Sequence, residues 1–184
     1  MLRYLPNGLT LLRLLLAVPL GALILREEYA WALGTGIIAG LTDALDGFFA
    51  RRLGVLSRFG AALDPVADKT LVTVMFLSFA SVGLIPWWLA LTVIARDAII
   101  VTGALCYHWL IGPLEFSPTP LSKANMFLQL AFCVLVLLAQ LVPAIPDAAI
   151  TTGGFLVLVI AVASGADYVT SWTRKALAAR EGRS

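Results

Sequence analysis

The sequence predicts an all-α integral membrane protein, a bundle of six transmembrane helices with both termini on the cytoplasmic side. Of its 184 residues, 60% are hydrophobic and only 13% are charged, whereas soluble domains average about 45–50% apolar and about 25% charged residues. The apolar residues form long continuous runs, as spanning helices of about 20 residues require, and not the short alternating segments of a β-barrel. This composition excludes a water-soluble globule and a disordered chain.

Short polar or Pro/Gly-containing breaks divide the chain into six apolar stretches. The stretches lie at 8–25, 30–50, 63–83, 86–111, 122–142 and 149–171. Most of the breaks are too short to hold a separate domain. We therefore expect one domain over residues 1–184, ending in a short basic tail at 174–184.

Basic residues set the expected orientation, because Lys and Arg collect in cytoplasmic loops. With a cytoplasmic N-terminus, the outer loops hold only Arg26. The inner segments hold Arg3, Arg51, Arg52, Arg58, Lys123, Arg174, Lys175, Arg180 and Arg183. An even number of spans then places both termini inside. No organellar presequence is visible, which favours a bacterial cytoplasmic membrane over a mitochondrion.

The sequence gives no indication of disulfide bonds or of nucleic-acid binding. The two cysteines, Cys106 and Cys133, lie inside apolar runs and form no disulfide framework. A formal net charge of +2 is too small to indicate nucleic-acid binding, and no basic stripe with interleaved aromatic residues is present.

Four carboxylates lie where membrane segments rarely carry charge. Asp43 and Asp46 end the second span, and Asp64 and Asp68 open the third. Ionisable residues in spans cost about 2.5–3.5 kcal/mol each on insertion scales and by default mark a function. The spacings of three and four residues place each pair on one helix face. Two helices joined by a short turn are antiparallel neighbours, so all four carboxylates are expected to converge at the cytoplasmic end.

Close carboxylates repel unless they are protonated or neutralised, and their oxygens are natural ligands of hard divalent cations. Mg²⁺ or Mn²⁺ is favoured over Zn²⁺, because no Cys or His lies nearby and the only histidine, His108, ends the fourth span. Four acids suffice for two ions about 3.5–4 Å apart, an arrangement that suits in-line displacement at phosphorus.

The glycines and arginines beside the aspartates could have either a functional or a purely structural role. Gly47 and Gly60 share the aspartate faces, where a missing side chain lets a neighbouring helix or a flat ligand approach. Arg51 lies on the same stretch of face as Asp43 and could hold a phosphate through a bidentate fork. Alternatively, Arg51 and Arg52 serve only as cytoplasmic anchors.

Taken together, these residues resemble the signature of the CDP-alcohol phosphotransferase (CDP-alcohol phosphatidyltransferase) family. All eight specified positions are filled at the right spacings: Asp43, Asp46, Gly47, Ala50, Arg51, Gly60, Asp64 and Asp68. The resemblance covers nearly the whole chain. It implies a Mg²⁺- or Mn²⁺-dependent transfer of a phosphatidyl group from CDP-diacylglycerol to an alcohol, with release of CMP.

The resemblance also implies residue roles. Asp43, Asp46, Asp64 and Asp68 would be metal ligands, with Asp68 also the general base. The CDP-binding site would comprise Asp43, Gly47, Ala50, Arg51 and Gly60. The expected partners are the lipid substrates and the membrane, and the chain is expected to form a homodimer, as members of this family commonly do.

The acceptor alcohol is the finer question. Arg96-Asp97 and the segment 118–125, with Gln129 one turn later, are similar to the cardiolipin synthase branch of the family, although Met126 stands where that branch usually has threonine. Phosphatidylglycerol is then the expected acceptor, with Arg96 and Lys123 as its anion-binding residues. Phosphatidylglycerophosphate synthases act instead on glycerol-3-phosphate, whose dianionic phosphate needs several cationic donors.

Three alternatives remain open at this stage. Arg96 and Asp97 could be a neutralising pair within the bundle, and Lys123 could be a topological anchor. A cation transporter would also place acids in a membrane. It would favour acids near the bilayer midplane in repeated halves, and this chain shows one cluster and no internal repeat.

Overall fold

The computed structural model describes the backbone of residues 5–53, 58–110 and 119–181, and the side chains of residues 11–42, 69–103 and 119–171. The described residues form six α-helices and no strand. These are α1 (Leu5–Leu25), α2 (Tyr29–Leu53), α3 (Arg58–Ser81), α4 (Trp87–Leu110), α5 (Pro120–Leu141) and α6 (Asp147–Glu181). Each helix overlaps one of the six predicted apolar stretches, which confirms the all-helical architecture.

Two tight turns reverse the chain, and each contains a residue with a positive φ angle shortly after a helix. Glu27, after α1, and Gly83, after α3, have positive φ angles of 60° and 76°. In the second turn the amide of Leu84 donates to the carbonyl of Phe79 at 2.9 Å, which closes the helix end with a left-handed cap. Glycine reaches this backbone conformation without steric cost. These caps make α1 and α2, and α3 and α4, consecutive helices with short connections.

The helix packing forms one connected bundle. Helix α1 packs against α2 and α3, α4 packs against α3 and α6, and α5 packs against α2, α3 and α6. The core between them contains aromatic and branched side chains, among them Phe76 and Phe132, whose ring centroids lie 6.0 Å apart. This core fixes α3, α4 and α5 around the cavity described below.

The outer surface of the bundle is strongly apolar. Val18 on α1 and Phe127 on α5 are each 73% exposed, and Phe155 on α6 is 61% exposed. Large apolar surfaces of this kind are rare on soluble monomers. The outer surface therefore agrees with a lipid environment. Within the described side chains, the segments Pro120–Leu141 and Asp147–Ser171 are long and apolar enough to cross a membrane. Spanning by the other four helices, and the side of the termini, stay predictions.

Helix α6 extends beyond its apolar stretch. The predicted span ends at 171, but the helix continues to Glu181. Residues 172–181 contain no Gly or Pro and include three alanines, a composition with high helix propensity. Most of the predicted basic tail is therefore a continuation of the last helix.

Candidate active site

The motif aspartates lie on two unbroken helices. Asp43 and Asp46 belong to the C-terminal part of α2, and Asp64 and Asp68 to the N-terminal part of α3. The helical backbone confirms the spacings on which the predicted shared faces depend. The motif side chains lie outside the described residues, so their convergence and ligands stay predictions. These residues are Asp43, Asp46, Gly47, Ala50, Arg51, Gly60, Asp64 and Asp68.

The chain connection limits how far apart the two motif segments lie. Helix α2 ends at Leu53 and α3 begins at Arg58, so five Cα-to-Cα steps hold these ends within about 17 Å of each other. Both helices also pack against α1. The backbone therefore brings the two aspartate-bearing ends to the same end of the bundle.

Arg96 is the centre of a buried polar network on α4. Its side chain is 8% exposed, and its Nη1 donates to Oδ1 of Asp97 at 2.5 Å. Its Nη2 donates to the hydroxyl of Ser164 at 2.6 Å and to that of Ser122 at 3.1 Å. The guanidinium thus joins α4 to α5 and α6. The neutralising pair of Arg96 and Asp97, one of the alternatives that the sequence left open, is present.

Asp97 carries a second cation. Its Oδ1 lies 2.8 Å from Nζ of Lys69 on α3. Arg96 and Lys69 together neutralise the buried carboxylate and leave the cluster with a net charge of +1. A buried charge that loses its partner is strongly unfavourable, so this three-residue cluster fixes the relative position of α3 and α4.

A cavity of about 190 Å³ lies beside this network. Its lining contains three cationic side chains and one carboxylate, an excess of two positive charges. The lining residues are Lys69, Val72, Arg96, Asp97, Ser122, Lys123, Asn125, Met126 and Gln129. Both residues predicted to bind the acceptor, Arg96 and Lys123, lie in this one cavity. An anion is the ligand that its charge favours.

The cavity reaches the motif helix. Lys69 directly follows Asp68 in α3, and Val72 follows Asp68 by four residues. Positions four residues apart are neighbours on one helix face. The face of α3 that carries position 68 therefore continues into the wall of the cavity.

Residue Lys123 differs from Arg96 in its surroundings. It is exposed at the rim of the cavity, close to the N-terminus of α5, where Thr119 accepts a hydrogen bond from the amide of Ser122 at 3.2 Å. Its ammonium forms no ion pair within the part of the chain whose side chains are described. Lys123 is thus the more available cation for an incoming anion, and Arg96 is the more rigid one.

Sequence reasoning missed Ser164 and Tyr168 on α6. Ser164 is fully buried and bonds to Arg96, and the guanidinium carbon of Arg96 lies 6.0 Å from the ring centre of Tyr168. The only signal was two polar groups four residues apart in an apolar run. That spacing indicates one helix face but not which helix it meets.

The predicted donor set fits a hard divalent cation. Within 11–42, 69–103 and 119–171, no three His, Cys, Asp or Glu residues are grouped to hold a metal. The four motif carboxylates lie outside those ranges, two on each of α2 and α3. Carboxylate oxygens suit Mg²⁺ and Mn²⁺, so the residue types present agree with the metal that the motif implies.

A family model described as CDP-alcohol phosphatidyltransferase matches residues 3–170. The chain belongs to the CDP-alcohol phosphatidyltransferase family. The match includes the aspartate motif of α2 and α3 as well as the cavity residues Arg96 and Lys123. The family assignment made from the motif is confirmed.

The relatives carry the names of two kinds of enzyme. Rat cardiolipin synthase (CMP-forming) is 40% identical over 123 residues, which are 66% of this chain and 39% of that protein. A fission-yeast (Schizosaccharomyces pombe) cardiolipin synthase (CMP-forming) and mitochondrial hydrolase fusion protein is 35% identical over 183 residues, covering 91% of this chain and 31% of the relative. Rice chloroplastic CDP-diacylglycerol–glycerol-3-phosphate 3-phosphatidyltransferase 1 is 38% identical over 101 residues, 55% of this chain and 31% of that one.

The shared region is only part of these relatives. This CDP-alcohol phosphatidyltransferase chain spans about two fifths of the rat protein and less than a third of the yeast and rice proteins. The comparison therefore establishes the family of the shared region.

Proposed function

We propose that the chain transfers a phosphatidyl group from CDP-diacylglycerol to a hydroxyl of phosphatidylglycerol, giving cardiolipin and CMP. The observation that carries the proposal is the positively charged cavity beside α3, since its wall includes the residue that follows Asp68. The relatives named as cardiolipin synthases support the choice of acceptor. The proposed reaction is assigned to the six-helix unit of residues 1–184.

The donor side is assigned to the family motif. Asp43, Asp46, Asp64 and Asp68 would hold two Mg²⁺ or Mn²⁺ ions, and Asp43 would also contact CDP. When bound, such ions neutralise the pyrophosphate and stabilise the leaving CMP. Gly47 and Gly60 leave room for the nucleotide, and the guanidinium of Arg51 pairs with a phosphate, with Ala50 one residue before it on α2.

The transfer step is a displacement at phosphorus. The acceptor hydroxyl oxygen forms a bond to the phosphorus that carries diacylglycerol, and the bond from that phosphorus to the CMP oxygen breaks. Asp68 accepts the hydroxyl proton as the new bond forms. CMP leaves with the electron pair of the broken bond.

The acceptor side is assigned to the cavity. Phosphatidylglycerol carries one diester charge, which Lys123 at the rim and Arg96 in the wall would balance. The Asp97 carboxylate already neutralises part of the positive charge. The lining still keeps an excess of two positive charges, so it accommodates the single diester charge, and the choice of phosphatidylglycerol is supported by the relatives named as cardiolipin synthases.

Glycerol-3-phosphate is the second candidate acceptor. The rice relative is named for that reaction, and three cations in one cavity give it some support. In that case the product is phosphatidylglycerophosphate, and the metal site and the displacement are unchanged.

The enzyme is proposed to act at a bacterial cytoplasmic membrane, with its active site facing the cytoplasm. The distribution of basic residues supports this orientation. We also propose a homodimer. Helix α6 carries small residues at 151–154, which permit close contact between helices. Part of this surface is used within the chain, because a Cβ added at Gly153 would lie 3.0 Å from Phe132 and one added at Gly154 would lie 3.1 Å from Leu89. Cross-linking in membranes measures the assembly directly.

The deciding experiment is CMP release by the purified full chain with CDP-diacylglycerol and Mg²⁺ or Mn²⁺. Phosphatidylglycerol and glycerol-3-phosphate are compared as acceptors, and the lipid product is identified. Cardiolipin formed from phosphatidylglycerol confirms the proposal. If phosphatidylglycerophosphate is the only product, the acceptor is glycerol-3-phosphate, the second candidate. If neither acceptor leads to CMP release, even after the protein is treated with a chelator and supplied again with Mg²⁺ or Mn²⁺, both candidate functions are rejected.

A further inference from the structure

Two buried amide side chains of α5 belong to the lining of the cavity. Asn125 and Gln129 lie one helical turn apart and are 1% and 3% exposed. Both line the cavity. Nδ2 and Oδ1 of Asn125 and Nε2 of Gln129 form no hydrogen bond with any residue that the structure describes.

Such an arrangement is unfavourable for folding alone, since buried polar atoms are nearly always hydrogen-bonded. A ligand that both donates and accepts hydrogen bonds satisfies these atoms. An alcohol hydroxyl has one donor and two acceptor positions, and so pairs with an amide oxygen and an amide N–H at once. A phosphate diester offers acceptors only, and an acyl chain offers neither.

The amides lie farther along α5 than Lys123. Asn125 follows Lys123 by two residues and Gln129 follows it by six, about 3 Å and about 9 Å at 1.5 Å per residue. Val72 of α3, one turn after Asp68, lines the same cavity. A ligand whose charge is held near Lys123 would therefore place its uncharged part between α3 and the two amides.

We propose that Asn125 and Gln129 bind the secondary hydroxyl of the acceptor's glycerol, the hydroxyl that does not react. The neighbouring primary hydroxyl is then the one presented to Asp68. This subsite rests on the proposed transferase function and defines its substrate class as glycerol-containing acceptors. Phosphatidylglycerol and glycerol-3-phosphate both carry this hydroxyl, so the amides recognise the diol and the cations recognise the phosphate.

The test uses acceptor pairs that differ only in that hydroxyl. Phosphatidylglycerol is compared with the same lipid carrying a propane-1,3-diol headgroup, and glycerol-3-phosphate with propane-1,3-diol monophosphate. The ratio of kcat/KM within each pair is measured by CMP release. The wild-type chain is expected to prefer the glycerol form by about tenfold, the effect of one well-made hydrogen bond. The pair that shows the preference identifies which of the two acceptors uses the subsite.

The variants Gln129→Met and Asn125→Leu keep side-chain size and remove the amide. Each is expected to bring the ratio close to one, because its kcat/KM falls more for the glycerol acceptor than for the analogue. Gln140→Met is the matched control, since Gln140 is exposed on the same helix. It should keep the wild-type ratio.

The outcomes separate the two proposals. If the wild-type chain releases no CMP with any acceptor, the transferase function fails and the subsite with it. If the wild-type chain releases CMP at equal efficiency from both members of each pair, only the subsite is overturned, whether or not the variants fold. An equal loss on both members in the amide variants shows a structural role and also overturns it.

Discussion

The ammonium of Lys69 on α3 lies 2.8 Å from the carboxylate of Asp97 on α4. The same carboxylate oxygen accepts from Arg96, which in turn donates to Ser164 on α6. Because Lys69 directly follows Asp68 in α3, this chain of contacts connects the segment of the proposed general base to α4 and α6. The position of the motif helix thus depends on a buried ionic cluster.

Asp97→Asn is expected to destabilise the protein strongly. The substitution leaves Arg96 and Lys69 without their shared counter-charge, and removing one partner of a buried ion pair costs about 3–5 kcal/mol. Lys69 is the more exposed partner, with 30% of its side chain accessible against 12% for Asp97, so the lower end of that range is expected. The measurement is the free energy of unfolding in mixed detergent micelles.

A double-mutant cycle with Lys69→Met isolates the contribution of this pair. With Lys69 absent, Asp97→Asn strands one cation and not two, so its cost should be smaller than in the wild-type background. Equal costs in the two backgrounds would show that Lys69 and Asp97 are not energetically coupled.

Gly21→Ala tests the close approach of α1 to α3. A Cβ at Gly21 would lie 2.6 Å from Cγ1 of Val74 and 3.3 Å from Oγ of Ser78. Val74 is β-branched and has little rotamer freedom within a helix, so the two helices must move apart. Overpacking of this kind costs about 1–3 kcal/mol, seen as a lower unfolding midpoint.

Gly36→Ala is the control for that substitution. Gly36 lies within α2, and apart from the backbone of α2 itself no atom lies within 4 Å of the position that a Cβ would take. Alanine is the better helix former by up to about 1 kcal/mol, so this variant should be as stable as the wild-type chain or more so. A loss of stability at both glycines would contradict a specific contact between α1 and α3.

The sequence predicted the helices well because each is a long apolar run with a break at both ends. It also placed Arg96 and Lys123 in one functional group, and the cavity between α3, α4 and α5 brings them together. It left two interpretations of Arg96 open. The structure shows the pair with Asp97, while Arg96 still forms part of the cavity wall, so the two interpretations are compatible.

Partners distant in sequence could not be predicted. Ser164 lies 68 positions from Arg96, and its contact depends on how α4 rotates against α6. A serine in a membrane segment bonds equally well to its own helix, as Thr170 does with the carbonyl of Ala166 at 3.0 Å. Only the packing of the helices decides between the two.

Asp68→Asn is expected to abolish transfer while leaving CDP-diacylglycerol binding largely intact. The amide cannot accept the hydroxyl proton, although its oxygen and the other three motif carboxylates remain. The measurements are CMP release and, separately, retention of labelled CDP-diacylglycerol by the purified protein. Asp147→Asn, at the first residue of α6 and the opposite end of the bundle, is the control and should keep full activity. Full activity in Asp68→Asn would remove this residue from the mechanism.

Lys123→Ala is expected to weaken use of the acceptor more than use of the donor. Lys123 lies exposed at the cavity rim, so its loss should cost a charge-assisted contact with little effect on the fold. Such a contact corresponds to an increase in the acceptor KM of about tenfold, with the CDP-diacylglycerol KM changed much less. Lys123→Arg should recover most of the loss, because it keeps the charge. Arg26→Ala removes a cation from the other end of the bundle and should leave both KM values unchanged. If Lys123→Ala raises both by the same factor, the residue supports the structure of α5 and does not hold the acceptor.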